Sequence, residues 1–284
     1  MTQLGASLPI VLVAVGRDED ALDACLAALD ASTPAGTRVW LADNGQAGPR
    51  GVGLVQGWLA RTPLQAGYTR RAEPVSEVAH LDEALRACGG SDVAILAADA
   101  RPAPGWLQRM EACLAGDAAL GTVTPWCNAG ETASWPRIGE IEPDLPSPTL
   151  LAEACAKLKA QADELPAAVG HAVLLRGSAH ATAGGLDATS FRSWPVALID
   201  LSLRLAGLGW RNALCPTAFV LRDGEGIPGD GDMDALAARW PNWNARIARF
   251  LMDDPLQAMR AQLGEELARV ARLPPQLDLF PELV

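Results

Sequence analysis

The chain has 284 residues, of which 49% are apolar and 20% charged, and carries a formal net charge of −11. That length can bury a substantial core, and the composition excludes a disordered or fibrous protein. The acidic balance, without clustered Lys and Arg, argues against a nucleic-acid binder, and a small anionic ligand would need a local arginine or a metal to offset it.

Leu8 to Val15, bounded by Gly16, reads as a strand buried on both faces. It is too short to span a bilayer and lacks the basic lead of a signal peptide. Asp18 then starts a helix with Leu22, Cys25, Leu26 and Leu29 at helical spacing. Arg38 to Ala42 is a second strand ending in Asp43-Asn44-Gly45, Leu54 to Leu59 a short helix, and Leu64 to Thr69 a weak third strand. Val75, Val78, Leu81, Leu85 and Cys88 make an amphipathic helix closed by Gly89-Gly90.

Asp92 to Asp99 is the central stretch, an apolar run ending in one carboxylate before a Pro/Gly loop, as in a buried strand that delivers Asp99 to an open sheet edge. A helix from about Pro104 and a strand from Leu120 to Thr124 follow. Strands alternating with helices predict an α/β fold with a mainly parallel central sheet. Pro125 to about Pro148 loses periodicity and holds Trp126, Cys127, Asn128 and Trp135, which points to a long functional loop or a domain junction.

A helix is expected from Leu150 to Leu165, then a strand from Val169 to Leu175. Pro195 begins a helix on which Asp200 and Arg204 share one face. Arg211 to Leu221 reads as a short strand pair around Pro216. Two or three short helices follow, and the residues from Leu273 read as an extended arm.

Cysteines at 25, 88, 113, 127, 155 and 215 form no Cys-x-x-Cys pair, so they read as reduced core thiols of a cytoplasmic protein. Histidines 80, 171 and 180 show no metal-ligand spacing. A Gly-x-Gly-x-x-Gly turn, a P-loop and a Gly-x-Ser-x-Gly elbow are all missing, which removes the main warrants for NAD, P-loop and serine-hydrolase readings. Asp43 and Asp99 both close strands; one reading has Asp43 on a ribose or base and Asp99 on a phosphate-bound metal, and the other has both capping turns. Trp126 and Trp135 are either core residues or stacking surfaces for a sugar or base.

In order and spacing, the chain resembles family 2 glycosyltransferases of the GT-A fold. The resemblance rests on Pro9 to Val13, Asp43-Asn44-Gly45, Ala97-Ala98-Asp99 with Pro104 to Leu107, and Gly121 to Pro125 with Asn128 and Ser134-Trp135-Pro136. It continues through Gly170 to Arg176, Gly184 to Asp187, Ile199 to Arg204 and Gly209-Trp210-Arg211. It implies a glycosyltransferase domain over 1–228, with a nucleotide-binding half (1–125) and an acceptor half (126–228), followed by a C-terminal helical extension (229–284).

The implied reaction is an inverting transfer of a sugar from a nucleoside-diphosphate sugar to an acceptor hydroxyl. The acceptor would be a saccharide or glycolipid in surface polysaccharide or glycolipid synthesis, with peripheral contact at the inner face of the membrane. Asp43 would contact the nucleoside, Asp99 would be the surviving carboxylate of an Asp-x-Asp motif holding Mg²⁺ or Mn²⁺, and Asp200 would be the general base.

The departures from the family are Ala97 for the leading acid of that motif, Ile199 for the acid before the base, and Arg222 for a metal-binding histidine. They imply either that Arg222 partly substitutes for the metal by pairing with the donor diphosphate or that the chain is a catalytically weak or inactive sugar-nucleotide-binding or partner protein of the same fold.

Overall fold

The structure, a computed structural model, describes residues 8–272. The expected arm from Leu273 lies outside the described residues. Nine strands, β1 (Ile10–Val15), β2 (Arg38–Asp43), β3 (Gln65–Arg70), β4 (Val93–Ala97), β5 (Arg101–Pro102), β6 (Leu120–Trp126), β7 (Asp163–Glu164), β8 (Ala172–Leu175) and β9 (Arg211–Leu221), form one sheet among the described residues. Flanking it are α1 (Glu19–Ser32), α2 (Pro49–Leu59), α3 (Glu77–Ala87), α4 (Trp106–Gly116), α5 (Pro148–Cys155), α6 (Gly177–Ala183) and α7 (Trp194–Gly207). The C-terminal helices are α8 (Asp232–Arg239), α9 (Trp243–Asp253) and α10 (Gln257–Arg272).

Strand order is β3-β2-β1-β4-β8-β6-β9-β5, with β7 paired to β9. The β3-β2-β1-β4 block is wholly parallel, as strands joined by helical crossovers must be. In its register Val15 lies opposite Asp43 and Ala14 opposite Ala97, so β1, β2 and β4 finish at one edge. That edge receives Gly16, Asn44 and Asp99. The sheet continues into its other half through β8, antiparallel to both β4 and β6, while β6 and β9 run parallel.

Every β1 residue is buried, as an apolar run covered on both faces requires. Leu22, Leu26, Trp58, Trp106 and Met110 pack on one side of the sheet. Leu81, Phe191, Leu198 and Leu201 pack on the other. A third cluster joins Trp126, Leu151, Phe219, Leu263 and Leu267, which seats α10 on the main body. Each fully buried side chain of this size contributes about 1.5–3 kcal/mol. The six cysteines are buried and unpaired.

Two elements differ from expectation. The helix predicted from Leu150 to Leu165 stops at Cys155, and Asp163–Glu164 pairs with β9 instead. The segment around Pro216 is one strand, not a pair. It keeps its course through a register shift beside Pro216, which has no N–H to give a ladder. No helix among the described residues is long and apolar enough to cross a membrane.

Candidate functional site

An open cavity of about 470 Å³ lies at the carboxyl ends of β1 and β4 and is lined by Gly16, Ala97 to Asp99, Glu131, Trp194, Arg222, Asp223 and Glu225 to Ile227 among others. A second depression of about 610 Å³, lined by Asn44, Gln46, Ser76, Thr189 and Arg192, shares Gly16 and Glu77 with the first. The amino end of α7 opens on the cavity through Trp194 and Pro195 and brings the positive end of its dipole there.

Asp99 and Arg222, distant in sequence, meet in this cavity. Arg222 Nε donates to Asp99 Oδ2 at 3.1 Å and Nη2 to Oδ1 at 3.2 Å, so both carboxylate oxygens are engaged in a bidentate pair. Arg222 is only 8% exposed, and Asn128 holds its backbone from both sides. The Arg222 N–H donates to Asn128 Oδ1 at 2.9 Å and Asn128 Nδ2 donates to Arg222 O at 2.9 Å. Beneath the pair, His171 is fully buried, with Nε2 3.1 Å from Pro125 O. Burial, reinforced by the Arg222 charge, pushes its imidazole down to about 3, so it is neutral and Nε2 is the donor.

The aperiodic stretch after β6 brings Glu131 to the cavity. Its φ is +50°, a left-handed conformation unfavourable for a residue with a side chain. The loop is braced from inside: Ser134 Oγ donates to Glu131 O at 2.7 Å and Gly139 N donates to the same carbonyl at 3.0 Å. It is also braced by α10, where Arg260 donates to Ser134 O at 2.7 Å and to Thr132 O at 2.9 Å. The Glu131 carboxylate itself has no hydrogen-bond partner among the described residues. Burial pushes it up, Glu225 adds to this, and Arg222 opposes it. Burial likewise raises Glu77, opposed by the Trp194 N–H that it accepts at 3.1 Å.

Three expected site residues are placed elsewhere. Asp200, expected as general base, has no exposed surface and does not line the cavity. Its Oδ2 accepts from Arg204 Nε at 2.8 Å, and its Oδ1 from Trp240 Nε1 at 2.9 Å and Arg239 Nη1 at 3.1 Å. With both oxygens engaged, it joins α7 to the end of α8 and to Trp240 and does not open on the cavity.

Asp43, expected on the nucleoside, is also fully buried. Its Oδ1 accepts from Gly45 N at 2.8 Å and its Oδ2 from Tyr68 Oη at 2.6 Å, with Arg70 Nε 3.5 Å away. Gly45 makes this turn at φ +90°, where a Cβ would lie 2.9 Å from Glu73 O. The residue beside it, Asn44, reaches the second depression, and its Oδ1 is buried without a partner among the described residues. Trp126, expected as a stacking surface, is fully buried with the Arg260 guanidinium 5.5 Å from its ring centroid, so it supports the loop from within.

The residues do not fit a resident divalent ion. Asp99 already holds Arg222, Ala97 offers no ligand, and no three His, Cys, Asp or Glu side chains converge for a metal among the described residues. Glu131 and Glu77 were missed in the sequence, although the aperiodic stretch holding Glu131 was read as a long functional loop or a domain junction.

No family model matches the chain, and no curated protein does. Solved structures do match. GalNAc-T7 with UDP, GalNAc and Mn²⁺ is similar at a TM-score of 0.63 and 11% identity, over 92% of this chain and 55% of that one. The mannosyltransferase PcManGT from Pyrobaculum calidifontis, with GDP-Man and Mn²⁺, is similar at 0.57 and 17% identity, over 93% and 75%. S. aureus TarS is similar at 0.54 and 12% identity, over 92% of this chain and 43% of that one. The chain thus spans about half the length of the first of these, and it has the GT-A fold, an α/β sheet of mostly parallel strands flanked by helices.

Proposed function

We propose that this chain is an inverting glycosyltransferase that takes a sugar from a nucleoside-diphosphate donor and passes it to the hydroxyl of a saccharide or glycolipid acceptor. The observation that carries the reading is the cavity at the carboxyl ends of β1 and β4, where a buried arginine stands where a metal-bound diphosphate would be expected. Arg222 supplies fixed positive charge and a planar fork that suits two phosphate oxygens, and the amino end of α7 adds to it. The diphosphate competes with Asp99 for this guanidinium, and the nucleoside takes the depression beside Asn44. Charge placed where the leaving diphosphate develops its negative charge lowers the barrier without any metal-bound step.

Thermal shift with UDP-glucose, UDP-N-acetylgalactosamine and GDP-mannose, with and without chelator, tests this. The expected result is a rise in apparent stability with one of the donors that survives chelation. Complete loss of binding on chelation removes the arginine reading, and no binding to any donor removes the donor site.

One observation favours a second reading, a sugar-nucleotide-binding or partner protein without transfer. The engagement of Asp200 by two arginines and an indole takes away the base expected from the sequence.

A further inference from the structure

Transfer to a hydroxyl requires a group that accepts its proton, and six carboxylates line the cavity. Four are otherwise engaged. Asp18 Oδ1 caps α1 through Asp20 N and Ala21 N, and Glu77 caps α7 through Trp194 N. Asp99 holds Arg222, and Asp223 pairs with Arg101 at 2.7 Å. Glu225 is exposed to solvent. Glu131 is half-buried, faces Arg222 and Glu225, and keeps both oxygens unpartnered among the described residues.

The protein holds this residue at a cost. At φ +50° a glycine would sit without strain, yet the chain places a glutamate there and braces its carbonyl with Ser134 and Gly139. The strain brings the fold no contact from the carboxylate.

We propose that Glu131 is the catalytic base of the transfer, an inference that rests on the donor reading above. As the acceptor oxygen bonds to the anomeric carbon, its proton passes to a Glu131 carboxylate oxygen. The bond from the anomeric carbon to the phosphate oxygen breaks, and its electron pair leaves with the nucleoside diphosphate. Glu131 then returns the proton to solvent through the open cavity.

The test uses the full chain and the same three donors, measuring thermal shift for binding and release of nucleoside diphosphate for turnover, with water as acceptor. Glu131→Gln is expected to keep the donor-induced shift and to lose turnover by roughly 10²–10⁴-fold. Glu131→Gly is expected to lose turnover equally while its apparent melting temperature rises by about 2 °C, because the strain is removed. Azide has no proton to lose, so it is expected to restore nucleotide release in the glycine variant and to yield a glycosyl azide.

A glutamine variant with wild-type turnover overturns the proposal for Glu131 alone. So does a glycine variant that is less stable than the wild type, since the side chain would then be structural. Wild-type protein that binds a donor but cleaves it neither with water nor with azide overturns the catalytic role and leaves a binder. Wild-type protein that binds no donor overturns the donor reading and this one together.

Discussion

Asp200 on α7 and Glu131 on the loop after β6 are both acids withdrawn from bulk water, and their surroundings are opposite. Asp200 is fully buried with three donors on its two oxygens, two of them from arginines. Glu131 is half-buried, has no donor among the described residues, and sits on strained backbone beside a cavity. A carboxylate whose lone pairs are filled by its own protein joins elements together, whereas one left open at a cavity remains free to take a proton. Sequence order favoured Asp200 for the chemistry, and hydrogen bonding favours Glu131.

The comparison breaks most readily at Asp200. Asp200→Ala leaves Arg204 facing no carboxylate and Arg239 paired with Asp187 alone, and losing one partner of a buried pair costs about 3–5 kcal/mol. The low end is expected because Arg239 is 37% exposed. Urea unfolding should show this loss, with nucleotide release per folded molecule unchanged. A variant that stays within about 1 kcal/mol of wild type yet stops turning over returns Asp200 to the chemistry.

The Glu131 side depends on the C-terminal extension. Arg260→Met keeps the apolar stem over Trp126 but strips the donors from Thr132 O and Ser134 O and the partner from Asp254. Leaving buried acceptors unmade costs about 2–3 kcal/mol in total. Amide hydrogen exchange should rise across residues 131–139 before it rises in β1. Unchanged protection there would mean that the loop holds Glu131 without help from α10.

How much of this was legible in the sequence follows the range of each interaction. The apolar runs of β1 and β4 and the proline that opens α7 are local signals, and they place Asp99 at the sheet edge correctly. The order of strands, together with the position of Arg222 at the end of β9, places it near the same edge. The fate of Asp200 was hidden because Arg239 and Trp240 come from the far end of α8. The Tyr68 hydroxyl on Asp43 was hidden because it reaches the carboxylate across the β2–β3 pair. Glu131 gave no periodic signal, since its conformation depends on a loop braced by an arginine of α10. The missing acid at Ala97 was visible, but the guanidinium engaging the remaining carboxylate could be seen only once the sheet was assembled.

His171 adds a third treatment of a buried group, with neither filled lone pairs nor an open cavity. At Asp200 burial is answered by two guanidiniums, and at His171 by loss of the charge. The unfolded imidazole titrates near 6.5 and the folded one is pushed down to about 3. The unfolded chain therefore binds the proton first, and stability falls as pH drops through that window. Between about pH 7 and about pH 5 the loss from this group is about 2 kcal/mol. Glu77 and Glu131, both raised, have the opposite sign and favour the folded form as pH falls. Comparing His171→Gln with wild type isolates the imidazole, because those acids are common to both proteins. Parallel stability curves over that range would show that the ring is not the source.

The smallest effect tests whether Asp43 belongs with Asp200. Tyr68 Oη donates to the buried Asp43 Oδ2 at 2.6 Å, and burial, then this bond, pushes the phenol above its ordinary value. Tyr68 is partly exposed, so Tyr68→Phe should cost about 1 kcal/mol near neutral pH, the low end for a bond to a charged acceptor. The folded phenol keeps its proton where the unfolded one loses it, so the advantage over Tyr68→Phe is complete below about pH 10 and shrinks above it. The chain contains one tyrosine and nine tryptophans, and the indoles do not titrate, so the pH-dependent rise in near-ultraviolet absorbance from tyrosinate reports this residue. Titration at the ordinary phenol value would mean that Asp43 does not hold the hydroxyl, which would leave an oxygen free for the nucleoside that the sequence assigned to it.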